Sequence, residues 1–332
     1  MRETSNGNFS VNRRRALLAL GASASIGSLS LTAKASTTGP VRLVVPFTPG
    51  TGIDLIGRVI GPKLAERFQR PFIVDNKPGA SGNIGTLEVV RSAPDGNTLL
   101  VTVNTLVMNT ELYPKVGYSP ARDLTAISQT SVGQLVLVTG AQSKMADLKE
   151  LISYSQQNPG VLNYGSPGAG TPHHLAMELL KSRAGISLTH VSYRGTAPAL
   201  TDLLGGQIDL MFLPIHVALQ HIKAGKLKAL AISSDAASPL LPHVPPLKTL
   251  NLGDLNVDMW YGLLGPKGLP QEFVRSINDA LKTILMQPDV TKAFETQGMT
   301  PRHSTPQAFQ ALIEADAKRW GALIKSQRIT AE

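Results

Sequence analysis

Apolar and polar positions alternate with two periods along this chain, and the switch between them marks the elements. Residues 41–47 (VRLVVPF) form a β-rich run that ends in Thr-Pro-Gly-Thr-Gly. Residues 54–68 then carry Leu55, Ile56, Val59, Ile60, Leu64 and Phe68 at helical spacing. A strand at 72–75, a helix at about 83–92 and a strand at 98–103 follow. Alternating strand and helix predicts a parallel sheet covered by helices. A second unit repeats the rhythm. Strands are expected at 127–131, 135–139, 162–164, 188–193, 208–212 and 228–233, with helices at 145–157, 173–184, 197–205 and 214–224. Residues 270–328 read as amphipathic helix broken by Pro288, Gly298, Pro301 and Pro306. Two α/β units predict two lobes with a cleft between them, and binding sites in open α/β sheets lie where strands end and helices begin.

The first 35 of the 332 residues stand outside this pattern. Arg13, Arg14 and Arg15 precede an uncharged run at 16–31, and Ala33-Lys34-Ala35 is a small-x-small cleavage pattern. This reads as a secretory signal peptide over 1–35, and the arginines also suit twin-arginine export. A membrane anchor is the competing reading, but the run is rich in small polar residues and falls short of the roughly 20 apolar residues a span needs. The mature chain therefore starts near Ser36, and the periplasm is the expected location. It has no cysteine, which excludes disulfides, zinc-thiolate sites and cysteine nucleophiles. The formal charge of +9 is partly held by the leader, and the remainder is scattered rather than striped. With aromatics at only 5%, that argues against a nucleic-acid reader and for a mild preference for anions.

Three strand-to-helix loops carry the candidate chemistry. In PFTPGTGID (46–54), glycines let backbone approach a ligand, Thr48 and Thr51 add hydroxyls, and Asp54 is placed to cap the next helix. The same residues also suit a plain turn. In YGSPGAGTPHHL (164–175), Ser166 and Thr171 offer hydroxyls, Gly165, Gly168 and Gly170 offer amides, and Pro172 suits a first helical turn. There is no Walker lysine and no Gly-x-Ser-x-Gly frame. His173 and His174 are adjacent, so they point to different sides of a helix and make no metal pair; packing or capping is the simpler role for each. The third loop, SYRGTAP (192–198), brings Arg194, either as a carboxylate clamp or as a surface residue. Asp209, heading an apolar strand, either orders a loop or receives a ligand amine. Trp260 and Tyr261 are expected to pack between lobes. The run 79–85 (GASGNIG) has the wrong spacing for a dinucleotide loop.

These pieces stand together in a family. VPFTPGTGID, FIVDNKPGASGNIGT, SAPDGNTLL, ELYPKVGYSPARDL, LNYGSPGAGTPHHLAMELL, HVSYRGTAPALTDLLGGQIDLMF, HIKAGKLKALAISS and LPHVPPLKTL occur in this order. On them the chain resembles the solute-binding receptors of tripartite tricarboxylate transporters, the Bug family, over essentially all of the mature sequence. The resemblance implies a two-lobed periplasmic-binding-protein (Venus-flytrap) fold, each lobe a helix-flanked mixed β-sheet, with 36–125 plus 228–332 in lobe 1 and 126–227 in lobe 2. It implies capture of a small organic, aromatic or amino acid by its carboxylate, without catalysis, cofactor or metal. The expected partners are membrane transporter subunits or a sensor kinase, and the expected state is a monomer. By matching motif, the ligand residues would be Phe47, Thr48, Gly50, Thr51, Gly52 and Thr105 from lobe 1. Lobe 2 would supply Ser166, Gly170, Thr171, His173, Arg194, Gly195 and Asp209. The chain departs from the family at Thr51, where a second glycine is usual, at Arg194, where lysine is usual, and at Leu213, where an aspartate is common. The lost acid favours a plain organic acid over an amine-bearing one. An exported enzyme using His173 or Asp209 is the competing class, but no loop combines nucleophile, base and orienting acid.

Overall fold

A computed structural model describes residues 39–113, 115–193, 195–235, 237–251 and 255–330. The expected leader and Arg194 lie outside the described residues. The first half runs β1 (Val41–Val45), α1 (Gly52–Phe68), β2 (Phe72–Asn76), α2 (Asn83–Val90), β3 (Thr98–Val103), α3 (Thr105–Leu112), α4 (Pro120–Asp123) and β4 (Leu124–Gly133). Then come β5 (Leu135–Gly140), α5 (Leu148–Gln157), β6 (Asn163–Ser166), α6 (Pro172–Ala184), β7 (Thr189–Ser192), α7 (Thr196–Leu204), β8 (Leu210–Pro214), α8 (Ile215–Lys223) and β9 (Leu227–Ile232). The chain returns through β10 (Met259–Pro266), α9 (Gln271–Ile284), α10 (Pro288–Glu295), β11 (Met299–Pro301) and α11 (Pro306–Ser326).

Among the described residues the strands make two mixed sheets, β11-β4-β10-β3-β1-β2 and β7-β6-β8-β5-β9. β1 pairs in parallel with β2 and β3, as strand–helix alternation requires, whereas β10 and β11 run antiparallel to β4. In the second sheet β6 is parallel to β7 and β8, and β5 is antiparallel to β8 and β9. This is the helix-flanked mixed α/β architecture that the resemblance implies; the parallel sheet expected from strand–helix alternation holds for β2-β1-β3 and β7-β6-β8, and the remaining pairings are antiparallel. The expected division of the chain differs from the strand pairing in two places. β4 begins at Leu124 and belongs to the first sheet, not to the unit starting at 126. β9 belongs to the second sheet, not to the unit resuming at 228. The reason is register: β4 continues along β10 to Gly133, and the chain changes sheet only at Gln134.

The two crossings between sheets lie side by side. Ser233 donates its N–H to the Leu135 carbonyl and accepts the Leu135 N–H at 2.8 Å, and Gln134 Nε2 donates to Ser234 Oγ at 2.6 Å. Helix α1 shows how the layers are held. Ile53, Ile56, Ile60 and Leu64 are buried, and Gly57 and Gly61 on the same side allow close approach to Val74 and Leu43. One large core fills the first sheet and runs through α6 and Tyr164, and a smaller one, with Val136, Leu203, Met211 and Leu213, lies on another face of the second sheet. Trp260 packs inside this frame rather than between lobes: its indole donates to Asp316 at 2.6 Å and meets Phe309 edge-on at 5.2 Å.

Candidate functional site

Two of the three loops singled out in the sequence are built the same way. At the start of α1, Thr51 is the N-cap: its Oγ1 accepts the Asp54 N–H at 3.4 Å and donates to the Thr48 carbonyl at 3.1 Å. At the start of α6, Thr171 Oγ1 accepts the His174 N–H at 3.4 Å and donates to the Gly168 carbonyl at 2.8 Å. In each loop the side chain three residues past the cap reaches back to the glycine before it. Asp54 Oδ2 accepts the Gly50 N–H, and His174 Nδ1 accepts the Gly170 N–H, both at 2.9 Å. Gly50 and Gly170 both have positive φ, +84° and +73°, which the tight approach to the cap requires. The expected cap Asp54 is thus not the cap but the residue that locks the loop. With the third N–H of each helix and the glycine N–H taken up, the next amides at Gly52, Ile53 and His173 remain at the mouth of the helix; Pro172 has none.

These ends meet at a cavity of about 330 Å³. Its wall takes Phe47, Gly50, Thr51, Gly52 and Ile53 from the first loop and Pro167, Thr171, Pro172 and His173 from the second. Thr105 at the start of α3, Thr196 at the start of α7 and His216 in the first turn of α8 complete the ring of helix N-termini. Gln134 from the crossing and Val103, Gly133, Met259, Tyr261 and Met299 from the first sheet form the rest, with Pro214, Val217, Gln297 and Gly298. None of these side chains is a carboxylate, lysine or arginine. From the described residues an anion here would be met by helix dipoles, amides and hydroxyls.

Seven of the expected residues therefore lie on the wall: Phe47, Gly50, Thr51, Gly52, Thr105, Thr171 and His173. The others do not. Thr48 is exposed and contributes its carbonyl to the Thr51 cap. Ser166 is fully buried, donating to Gly168 O at 2.9 Å and paired with His190 Nε2 at 2.7 Å. Gly170 is turned inward to His174, and a Cβ there would come within 2.3 Å of Leu112. Gly195 precedes α7 and donates to the Pro167 carbonyl at 3.1 Å. Asp209 is a correction: β8 runs from Leu210 toward the cavity at Pro214, so Asp209 lies at the opposite end of the strand. There it orders the start of β6, accepting the Asn163 N–H at 2.8 Å and returning its own N–H to Asn163 Oδ1 at 3.0 Å. Leu213 is a second correction. Its side chain is in the smaller core, so its identity does not bear on the cavity.

His216, Gln134, Met259, Met299 and Gln297 escaped the sequence reading. His216 had a signal, because the junction of the expected 208–212 strand and 214–224 helix is another carboxyl-end loop. Gln134 and the methionines reach the cavity only through strand order.

The adjacent histidines separate as expected. His173 turns to the cavity, and burial pushes its pKa down to about 4. His174 stacks on His190 at 3.8 Å, and burial, then His190 and Lys181, push it down to about 3. Both lie below the ordinary 6.5, so the unfolded chain binds protons in a range where the folded one does not. Stability should be complete above pH 6.5 and fall as pH drops toward 4, with each imidazole forfeiting roughly 2–3 kcal/mol by about pH 4.5. Melting curves between pH 7.5 and 4.5 should show a drop on the order of 10 °C, reduced in His173→Leu. A flat profile would contradict the burial of both neutral rings.

The family model of the tripartite tricarboxylate transporter family receptor matches residues 56–329. The BugT protein of Bordetella pertussis is 32% identical over 288 residues, covering 86% of this chain and 88% of its own. Among solved structures, Rpa4515 of R. palustris with adipate is 31% identical, with a TM-score of 0.77 over 89% of this chain and 99% of that one. MatC of Rhodopseudomonas palustris with bound malate is 29% identical, with a TM-score of 0.73 over 88% of this chain and 99% of that one. No helix among the described residues is long and apolar enough to cross a membrane.

Proposed function

The chain belongs to the tripartite tricarboxylate transporter receptor family, and from that premise we propose that it is an exported solute-binding protein that captures a small organic carboxylate and delivers it to membrane transporter subunits. The observation that carries the reading is the pair of matching N-cap loops, one from each sheet, opening on one cavity. The ligand carboxylate sits between Thr51 and the Gly52 and Ile53 amides on one side and Thr171 and the His173 backbone amide on the other. The relatives with adipate and malate support a carboxylate as the ligand class. This is binding without turnover, a reading supported by a wall that among the described residues holds donors and no carboxylate.

Magnitudes are sufficient. Micromolar affinity needs about 8 kcal/mol. Hydrogen bonds to a charged group contribute roughly 1.5–3 kcal/mol each, and a partly buried helix end adds up to about 2 kcal/mol. Four or five donors on one carboxylate reach that range without a lysine. Because the donors come from both sheets, the ligand favours an arrangement in which they converge, and a ligand moves an equilibrium only by such differential affinity. That converged form is what the transporter subunits recognise.

The test is calorimetry of purified protein, freed of carried-over ligand, against acids, their primary amides and amino-acid analogues. An acid should bind at least about 100-fold tighter than its amide, and succinate should bind better than aspartate, since no lining carboxylate receives an ammonium. Equal binding of acid and amide would defeat the reading.

A further inference from the structure

Two imidazoles on the second-sheet wall of the cavity keep unpaired ring nitrogens. His173 and His216 each occupy the second position of their helix, α6 and α8, and both line the cavity. Both ring nitrogens of His173 and Nδ1 of His216 are shielded from water and have no hydrogen-bond partner. Burial lowers the pKa of both rings, against the pull of the Gln297 backbone at His216, so both are neutral at pH 7. A neutral imidazole carries one donor nitrogen and one acceptor nitrogen. Buried polar atoms in native proteins are nearly always paired, so unpaired ones on a cavity wall point to what the cavity holds.

The facing wall is apolar apart from the Tyr261 hydroxyl. Met259 of β10 and Met299 of β11 both stand opposite Gly133 of β4, so the end of the first sheet presents methionine, glycine and methionine side by side. This floor starts beside the carboxylate seat: a Cβ on Gly52 would lie 3.6 Å from Met299 Sδ. The cavity of about 330 Å³ is roughly twice the ~150 Å³ that holds benzene. It therefore has room for a carboxylate, an apolar body and one further group.

We infer that His173 and His216 are specificity residues that hydrogen-bond an uncharged hydroxyl at the far end of the ligand, making the preferred ligand an apolar-bodied hydroxy acid rather than a diacid. The inference rests on the carboxylate reading above. A hydroxyl both donates and accepts and so answers both kinds of imidazole nitrogen. A second carboxylate only accepts, and it would be buried with no cation on the described wall. An ammonium only donates, and a hydrocarbon end leaves the imidazoles unpaired, which a site built to bond a hydroxyl rejects.

Titration calorimetry at pH 7.5 with two matched sets tests this: hexanoate, 6-hydroxyhexanoate and adipate, then benzoate, 4-hydroxybenzoate and terephthalate. In at least one set the hydroxy acid should bind about tenfold or more tighter than both mates. Within His173→Leu and His216→Leu the ratio of hydroxy acid to plain acid should collapse to below about threefold, and His216→Gln, which keeps a donor and an acceptor, should restore part of it. The wild-type comparison stands even if a variant fails to fold. A diacid tightest in both sets, or a ratio that survives in both leucine variants, would overturn the inference while leaving the carboxylate reading intact. Failure of every acid to bind would overturn both.

Discussion

Asp54→Ala should weaken carboxylate binding by about 100-fold or more and cost about 3 kcal/mol of stability. Asp54 is 2% exposed and lines nothing, yet it holds the first loop together. Its Oδ2 accepts Gly50 N–H and Arg58 Nε, both at 2.9 Å, and its Oδ1 accepts Asn76 Nδ2 at 2.9 Å, which in turn reaches the Phe47 carbonyl at 3.1 Å. Alanine leaves the Gly50 amide and Asn76 unpaired and lets Phe47 and Thr51 leave the cavity wall. The Arg58 ion pair adds little, because its side chain is 54% exposed. Burial alone would raise the carboxyl pKa, but the bonds from Arg58, Gly50 and Asn76 outweigh it and hold the pKa below the ordinary 3.8. The stability Asp54 contributes is therefore present above pH 3.8 and lost as pH falls through its lower folded value. Asp54→Asn keeps the shape and one carbonyl acceptor and should fall between the two. Calorimetry and thermal melts read both numbers, and an unchanged Kd in Asp54→Ala would mean that this loop does not hold the ligand.

Glu178→Ala should show the opposite balance, a loss of roughly 3–5 kcal/mol in stability with less than about a tenfold change in affinity. Glu178 is 7% exposed on α6, behind the second loop. Its Oε1 accepts from the fully buried Tyr164 hydroxyl and from Lys181 Nζ at 2.6 Å. Truncation leaves a phenol and a largely buried ammonium without an acceptor. The loop touches Glu178 only through the long 3.9 Å approach of His174 Nε2 to its Oε1, while the bonds that shape it run among Gly168, Thr171, Gly170 and His174. A melting temperature lower by about 10 °C or more is expected, with Glu178→Gln retaining a good part because its carbonyl still accepts. A melting temperature within about 2 °C of the parent would show that the phenol and lysine find other partners.

The contrast between the two substitutions also separates what the sequence reveals from what it hides. Helix α1 was readable because one face of it is polar. Helix α3 was not, because Thr105, Leu106, Val107, Met108, Asn109 and Leu112 are all buried and no stripe forms. Strand β10 was obscured by its glycines: a Cβ on Gly262 would meet Phe309 at 2.1 Å and one on Gly265 would meet Leu269 at 2.3 Å, so neighbours fill what would have been its side-chain pattern. At the site, the loops and their threonine hydroxyls were legible because small residues before a helix are a local signal, but the cap was assigned to Asp54, three residues past the true cap Thr51. Asp209 and Leu213 were misplaced because strand direction and side-chain facing decide which end and which face meet the cavity, and neither is local. Met259, Met299 and Gln134 arrive there only through the order of strands in the first sheet and the crossing between sheets.

The central claim is that one carboxylate is held jointly by the two capped loops. A calorimetric double-mutant cycle on Thr51→Ala and Thr171→Ala, with the tightest acid from the ligand panels, tests it most directly. Each single change should weaken binding about tenfold, and the pair should depart from additivity by about 1 kcal/mol, because both hydroxyl caps shape donors to the same group. Unchanged affinity in both single variants, or strictly additive losses in the double variant, would contradict joint capture.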